Sequence, residues 1–151
     1  INLEHSINMM YHLSKEYDIG VGVAKGGLFL TFLAEKYELD SVIAEAHRKG
    51  KGASFQWIGN VRDDFVGKRI IVFDKDVVSG RTTRRVDREL EKYSPAYVDL
   101  ALAHWPKQMG GYSVMSSVPE GYRRVVHPKL YGFEQLYDVI KSLEEKLRGS
   151  K

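Results

Sequence analysis

The chain has 151 residues, with 23 lysines and arginines against 20 aspartates and glutamates and a formal net charge of +3. This length, with 43% hydrophobic and 28% charged residues, predicts one compact domain over residues 1–151, and no apolar run approaches the roughly 20 residues of a membrane span. The absence of cysteine excludes disulfides and thiolate metal sites, and a charge of +3 is too small to indicate nucleic acid by itself.

The spacing of apolar residues predicts helices and strands in alternation. In chain order, the predicted elements are a helix at 3–16, a strand at 18–23, a helix at 28–37, a strand at 41–46, a glycine-rich basic stretch at 48–60, a strand at 69–73, a helix at 82–93, a strand at 97–103, irregular chain at 104–121, a strand at 122–126 and an amphipathic helix at 133–147. Continuous apolar strands are typical of parallel sheets. We therefore expect a single α/β domain with a mainly parallel sheet flanked by helices.

The loops that follow the predicted strands are the expected ligand-binding segments, because open α/β sheets bind ligands beyond the carboxyl ends of their strands. That rule selects the loops at 24–27, 47–60 and 74–82. In the last of them, a buried strand ends at Asp74, and Asp76 follows two residues later. Carboxylates at this position can accept hydrogen bonds from sugar hydroxyls.

The same loop continues with small and hydroxyl-bearing residues into a helix. These residues are Val77, Val78, Ser79, Gly80, Arg81, Thr82 and Thr83. Small residues let backbone N–H groups approach an anion, and a helix N-terminus adds N–H donors and a favourable dipole. The loop therefore predicts one end for a phosphate and one end for a ribose. The alternative is a strand–turn–helix with an ordinary Ser or Thr N-cap.

The stretch from Ile70 to Thr82 resembles the phosphoribosyl-pyrophosphate signature of the type I phosphoribosyltransferases. That signature has four apolar residues, two acids, two apolar residues, then small residues, a glycine and a threonine. The residues that match it are Ile70 to Phe73, Asp74, Val77, Val78, Ser79, Gly80 and Thr82. Two positions depart from it: Lys75 replaces the second acid, and Asp76 stands at a position that is usually apolar.

Two further loops resemble functional loops of the same family. Lys25, Gly26 and Gly27 follow the first predicted strand, as does the family's pyrophosphate-binding loop; the alternative is a tight strand-to-helix turn. The basic stretch with Arg48, Lys49 and Lys51 corresponds to a mobile loop that closes over the ligand; the alternative is a solvated basic hairpin.

The resemblance implies transfer of a phosphoribosyl group from phosphoribosyl pyrophosphate to a nitrogenous base, in nucleotide salvage or related metabolism. It implies that Asp74 and Asp76 form the catalytic end, that residues 77–83 hold the 5′-phosphate, and that residues 25–27 hold pyrophosphate. It also implies Mg²⁺, which Asp74 reaches indirectly through the ribose or a water molecule. In the family, an acid at the position of Val78 accompanies 6-oxopurine acceptors, so Val78 argues against hypoxanthine and guanine.

The family holds its acceptor base in a small variable hood, for which the sequence offers aromatic and histidine candidates. These candidates are Trp105, Tyr112, Tyr122, Tyr131, Phe133, His104 and His127. Each can equally belong to the core or the surface, and isolated histidines are usually structural.

Two alternative functions remain open. A lysine at position 75 weakens the attraction for Mg²⁺, which is compatible with a catalytically weakened relative that binds a nucleotide as a sensor or regulator. The other alternative is a nucleic-acid-binding protein on the same fold, which we do not favour. The residues 1–5 have no signal-peptide pattern, and we expect a cytoplasmic protein without membrane contact, with a homodimer as one expected assembly.

Overall fold

The structure is a computed structural model that describes residues 3–49, 52–59, 64–76, 80–104, 118–131 and 136–149. Its elements are α1 (Leu3–Glu16), β1 (Ile19–Ala24), α2 (Leu28–Lys36), β2 (Ser41–Lys49), β3 (Gly52–Ile58), β4 (Arg69–Asp74), α3 (Arg81–Glu91), β5 (Tyr97–Leu102), β6 (Val125–Val126), a short 3₁₀ helix (Pro128–Leu130) and α4 (Leu136–Gly149). No helix within these ranges is long and apolar enough to cross a bilayer.

The strands form one sheet in the order β3-β2-β1-β4-β5-β6. Every neighbouring pair is parallel except the antiparallel hairpin of β2 and β3. This arrangement confirms the predicted α/β domain with a mainly parallel sheet. The central strand β4 is buried from Ile70 to Phe73, as a continuous apolar strand must be when helices cover both faces of the sheet.

Alternate residues of β4 enter the two halves of the core. Ile70 and Val72 face one side, where they join Val86 and Leu90 of α3. Ile71 and Phe73 face the other side, where the buried residues of α1 and α2 pack. Since successive side chains of a strand point to opposite faces, α3 covers one face of the sheet while α1 and α2 cover the other.

The main difference from the predicted elements is the hairpin. The predicted strand at 41–46 extends to Lys49, and the stretch at 48–60, predicted only as glycine-rich and basic, contains β3. Phe55 and Trp57 alternate with the exposed Ser54 and Gln56, which is the period of a half-buried strand. The glycines and charges of this stretch obscured an alternation that runs over only a few residues.

A charged network closes the end of the sheet where the parallel strands begin. The fully buried carboxylate of Asp99 accepts hydrogen bonds from Arg123 (Nη2–Oδ2 2.7 Å), from Arg124 (Nε–Oδ2 3.3 Å) and from the Tyr17 hydroxyl. Burial alone raises the pKa of Asp99, but the hydrogen bonds from Arg123 and Tyr17 hold it below the usual value. This carboxylate therefore serves the fold and is not available to a ligand.

Candidate functional site

The carboxyl ends of β1 and β4 bring two of the predicted loops into contact. The two strands are adjacent and parallel, with Gly22 opposite Phe73, so their following loops emerge side by side. A Cβ atom built on Gly26 would lie 2.7 Å from the Cβ of Lys75 and 3.0 Å from Oδ1 of Asp74. The structure thus places the Lys25–Gly27 turn directly beside Asp74, as the edge rule for parallel sheets predicts.

Gly27 is required by the close approach of three backbone segments. A Cβ atom at Gly27 would lie 2.0 Å from the carbonyl oxygen of Phe73 and 2.8 Å from the amide nitrogen of Val23. Its amide donates to the carbonyl of Val23 (2.7 Å), and its carbonyl accepts from the hydroxyl of Thr31 (2.7 Å). The turn is therefore fixed between two strands and the first turn of α2, after a cis peptide bond between Ala24 and Lys25.

Asp74 has an unusual electrostatic environment. Its pKa is raised to about 7, mainly by burial and also by the charge of Asp76, although a hydrogen bond that Oδ1 accepts from the amide of Lys75 (2.7 Å) acts to lower it. A carboxyl with this pKa exchanges a proton near neutral pH and can both donate and accept hydrogen bonds. The side chain of Lys75 is exposed, and Asp76 is half-buried.

His104 joins this edge from the end of β5. Its amide donates to the carbonyl of Lys75 (3.0 Å), which extends the pairing of β4 and β5 beyond Asp74. Burial, together with the positive charge of Lys75, lowers the pKa of His104 below its ordinary value. At neutral pH its imidazole is therefore uncharged, with one ring nitrogen donating and the other accepting.

The helix α3 begins beside this edge. Gly80 precedes it in the left-handed conformation (φ 77°), where a glycine is favoured, and its carbonyl accepts the first helical hydrogen bond from Arg84 (2.9 Å). No side chain caps the helix, and the hydroxyl of Thr83 donates to the carbonyl of Gly80 (3.1 Å). Gly80, Arg81 and Thr82 are half-buried in this first turn, whereas Val77, Val78 and Ser79 lie outside the described residues.

The loop before β6 packs against the first two turns of α3 and forms a hydrogen bond with them. The hydroxyl of Tyr122 donates to the carbonyl of Thr83 (2.6 Å), and burial raises the pKa of Tyr122 well above its usual value. A Cβ atom on Gly121 (φ 93°) would lie 1.7 Å from Oδ2 of Asp87, so this loop lies directly against the helix. Burial, with the neighbouring Glu91, raises the pKa of Asp87 to about 7.

Tyr122→Phe removes the hydrogen bond that joins the loop before β6 to α3. We expect a loss of about 1 kcal/mol in the free energy of unfolding, because the ring stays in place while a hydrogen bond between buried groups disappears. We also expect a several-fold weaker affinity for phosphate-bearing ligands at the start of α3. Chemical denaturation and calorimetric titration measure the two effects, and Tyr93→Phe, just after the C-terminal end of α3, is the control. Unchanged values for both quantities would show that the hydrogen bond does not position the helix.

The backbone of the hairpin extends past the same edge of the sheet. Ala24, the last residue of β1, pairs with Glu45, and β2 continues for four more residues to Lys49. The backbone of Arg48 and Lys49 therefore lies beyond the carboxyl end of β1, with Lys51 outside the described residues. The described part of this stretch is a hairpin, which was the alternative to a mobile loop in the sequence analysis. Its closure over a ligand stays a prediction.

The stem of the hairpin packs on α3. Trp57 stacks on Phe65 with ring centroids 5.6 Å apart, and the guanidinium of Arg85 lies 5.3 Å from the centre of the Phe55 ring. These contacts join the hairpin and the start of α3 into one packing unit, which sequence reasoning missed.

Two of the proposed base-stacking residues have structural roles instead. Tyr122 belongs to the buried core, and Tyr131 stacks on His12 with ring centroids 5.6 Å apart. His127 is buried, which lowers its pKa to about 4. The other three aromatic candidates, Trp105, Tyr112 and Phe133, lie outside the described residues, so the hood stays a prediction.

The described residues contain no group of three or more histidines, aspartates or glutamates that could hold a metal ion. The carboxylates of Asp74 and Asp76 are hard oxygen ligands, and Mg²⁺ is commonly bound by one or two carboxylates together with substrate phosphates and water. The site is therefore compatible with Mg²⁺ that arrives with a phosphorylated ligand.

Comparison with known proteins shows the fold. No protein-family model matches the sequence, and the curated proteins give no match. A purine phosphoribosyltransferase from Pyrococcus horikoshii Ot3 superposes with a TM-score of 0.60 at 21% identity, covering 83% of this chain and 87% of that chain. A hypoxanthine-guanine phosphoribosyltransferase from Bacillus anthracis gives a TM-score of 0.57 at 14% identity, with coverages of 82% and 77%.

A third structure covers more of the chain. It is a hypothetical protein from Neisseria gonorrhoeae with bound ppGpp, with a TM-score of 0.53 at 15% identity and coverages of 92% and 91%. At these identities the likeness establishes a common fold, which is that of the phosphoribosyltransferases, and leaves the activity and the ligand to be argued from the site.

Proposed function

We propose that this protein transfers a phosphoribosyl group between phosphoribosyl pyrophosphate and a nitrogenous base. The observation that carries the proposal is the contact between the Gly26 turn and Asp74, which assembles two of the predicted ligand loops at one edge of the sheet. The start of α3 and the basic end of the hairpin belong to the same edge. A ligand with a ribose between two phosphate groups has the chemistry that these loops offer.

Each loop has one role in the proposed reaction. Asp74 accepts hydrogen bonds from the ribose hydroxyls, and residues 77–83 hold the 5′-phosphate with backbone N–H groups at the start of α3. Residues 25–27 hold the pyrophosphate, and the hairpin closes over the ligand to exclude water. The bond from C1 of the ribose to pyrophosphate breaks, the pyrophosphate leaves with the electron pair, and the base nitrogen donates its lone pair to C1. Any proton on that nitrogen passes to the departing pyrophosphate. The protein contributes positioning and stabilisation of charge.

Mg²⁺ belongs to the same proposal. Asp74 and Asp76 would hold it through water or through the ribose hydroxyls, and the ion would neutralise part of the charge on pyrophosphate. Lys75, whose side chain is exposed, is given no role in the proposed reaction.

A second candidate function is nucleotide binding without turnover. Lys75 supplies a positive charge where the family signature has its second acid, and the Neisseria gonorrhoeae protein with bound ppGpp matches 92% of this chain. Both observations favour a sensor or regulator that uses the same phosphate-binding loops. Nucleic acid is the least favoured ligand, since the backbone of Arg48 and Lys49 lies at the Asp74 edge.

Calorimetric titration and a turnover assay separate the two candidates. We expect phosphoribosyl pyrophosphate to bind more tightly than ribose 5-phosphate and to release pyrophosphate when a suitable base is present. Lys75→Ala should leave the affinity within about threefold, which is below 1 kcal/mol. Tight binding of ppGpp or another nucleotide, with no pyrophosphate release for any base, would favour the regulator. Absence of binding for every ribose phosphate would contradict both candidates.

A further inference from the structure

A cavity lies at the end of the sheet opposite to Asp74, where the parallel strands begin. It has a volume of about 210 Å³ and is lined by Tyr11, Ser14 and Lys15 of α1, Tyr37 after α2, and Ser142 and Lys146 of α4. Since α1 and α2 end just before β1 and β2 begin, this cavity lies toward the amino ends of the parallel strands. It is therefore separate from the candidate phosphoribosyl site.

The residues that line the cavity carry many hydrogen-bond donors and a positive charge. None of the described residues that line it is acidic, whereas Lys15 and Lys146 each bring an ammonium group. Ser14 and Ser142 add hydroxyls, and the side chain of Leu143 gives an apolar patch. This combination suits an anion with several acceptor oxygens on a small organic body.

Tyr37 provides an independent indication of a ligand. Its side chain is only 8% exposed, and its buried hydroxyl has no hydrogen-bond partner in the described part of the chain. Its ring lies edge-on to Tyr11, with centroids 6.2 Å apart. A buried hydroxyl without a partner is unfavourable, so a ligand oxygen that accepts its hydrogen would remove a cost that the unliganded protein bears.

The two lysines are arranged so that each keeps capacity for a ligand. Nζ of Lys15 donates to the hydroxyl of Tyr11 (2.5 Å) and lies 3.9 Å from the centre of its ring, which holds the ammonium at the wall with two further N–H donors. Nζ of Lys146 lies 3.2 Å from Oε2 of Glu38, in an ion pair exposed to solvent. Exposed pairs of this kind contribute little, so Lys146 can exchange Glu38 for a bound anion.

We propose that this cavity is a binding site for a small phosphate-bearing anion. The phosphate oxygens accept hydrogen bonds from Lys15 and Lys146, and from Tyr37 after its buried hydroxyl turns toward the cavity, and any organic group lies against Leu143. The volume corresponds to about seven water molecules, which sets the size of the ligand at inorganic phosphate or a small phosphate monoester. The anion bridges α1, α2 and α4, so its binding stabilises the packing of three helices on one face of the sheet.

The test uses inorganic phosphate and phenyl phosphate as probes, with amide chemical shifts read by two-dimensional NMR. Because phosphate can also enter the phosphoribosyl site, the shifts of Ser14 and Ser142 report this cavity, and those of Gly27 and Gly80 report the other site. We expect saturable shifts at Ser14 and Ser142 with millimolar midpoints. Tighter binding of phenyl phosphate indicates an organic monoester as the natural ligand, and equal binding indicates the inorganic ion.

Four substitutions distinguish a built site from general attraction to positive charge. Lys146→Gln should weaken binding at Ser14 and Ser142 about tenfold, Tyr37→Phe should weaken it several-fold, and Glu38→Gln should strengthen it by removing the competing carboxylate. Lys141→Gln, at an exposed lysine of α4 outside the cavity, is the matched control. Equal weakening by the two lysine variants, no effect of Glu38→Gln, or no saturable shift at Ser14 and Ser142 would each overturn the proposal. Asp74→Asn should alter only the shifts at Gly27 and Gly80, so failure of one site is distinguishable from failure of the other.

Discussion

Asp74→Asn is expected to stabilise the unliganded protein above pH 7 and to weaken ribose-phosphate binding by more than tenfold. Burial raises the pKa of Asp74 to about 7 in the folded protein, whereas an aspartate in the unfolded chain ionises near 3.9. Below pH 4 the carboxyl is protonated in both states and costs nothing. As the pH rises from about 4 to about 7 the unfolded state releases its proton first, so the parent loses stability relative to the amide variant. Well above pH 7 the difference is constant, on the order of 4 kcal/mol, because the pKa differs by about three units between the two states.

The amide variant keeps the local geometry, which makes the comparison clean. Oδ1 of an asparagine can still accept the hydrogen bond from the amide of Lys75, so the loop should keep its conformation. Denaturation measured at several pH values gives the stability difference, and titration with phosphoribosyl pyrophosphate gives the affinity. If Asp74→Asn binds as tightly as the parent, Asp74 does not contact the ribose. If the free energy of unfolding of the variant equals that of the parent at every pH, burial of the Asp74 carboxylate does not destabilise the folded protein.

Gly27→Ala is expected to cost several kcal/mol of stability and to abolish ligand binding. The added methyl group would lie 2.0 Å from the carbonyl oxygen of Phe73 and 2.8 Å from the amide of Val23. Both atoms belong to the backbone of adjacent central strands, which cannot move aside without breaking the pairing of β1 and β4. Overpacking by one methyl group typically costs about 1–3 kcal/mol, and a clash with two backbone segments lies at or above the top of this range.

Gly26→Ala is the matched comparison for Gly27→Ala. Its added methyl group would meet two side-chain atoms, the Cβ of Lys75 at 2.7 Å and Oδ1 of Asp74 at 3.0 Å, and the nearest backbone atom, the amide nitrogen of Lys75, would lie 3.2 Å away. We expect a smaller loss of stability, and a loss of affinity that is larger for pyrophosphate-containing ligands than for monophosphates. Thermal unfolding and titration of both variants provide the test. Equal destabilisation by the two substitutions would mean that the close approach at Gly27 does not set the shape of the turn.

The sequence and the structure agree best where a local pattern and a general rule of sheets coincide. The continuous apolar run of β4 identified a buried parallel strand, and the edge rule then brought Gly26 and Asp74 together without any knowledge of distances. The hairpin was harder, because the alternation of Phe55 and Trp57 is short and lies among glycines and charges. Its packing against α3 depends on contacts between segments far apart in the chain, which no local pattern reports.

Side chains with tertiary roles were the least predictable part of the site. Tyr122 has an aromatic ring of the kind that stacks on nucleobases. In the structure, however, its hydroxyl donates to the carbonyl of Thr83 and its ring packs in the core. The raised pKa of Asp74 also has no sequence signal, since it follows from burial by neighbouring elements. The acidic residue itself was predictable from its place at the end of a strand, but its protonation behaviour was not.

The buried carboxylate of Asp99 joins parts of the chain that leave the ribosome at very different times. Tyr17 lies 82 residues before it, and Arg124 lies 25 residues after it. A nascent chain that has emerged only through β5 carries this aspartate without its arginines, and burial of an unpaired carboxylate is strongly unfavourable. Packing of the sheet around β5 is therefore unfavourable until Arg123 and Arg124 are available. We expect the domain to fold late in its synthesis, with the local β2–β3 hairpin as the pairing that can form earliest.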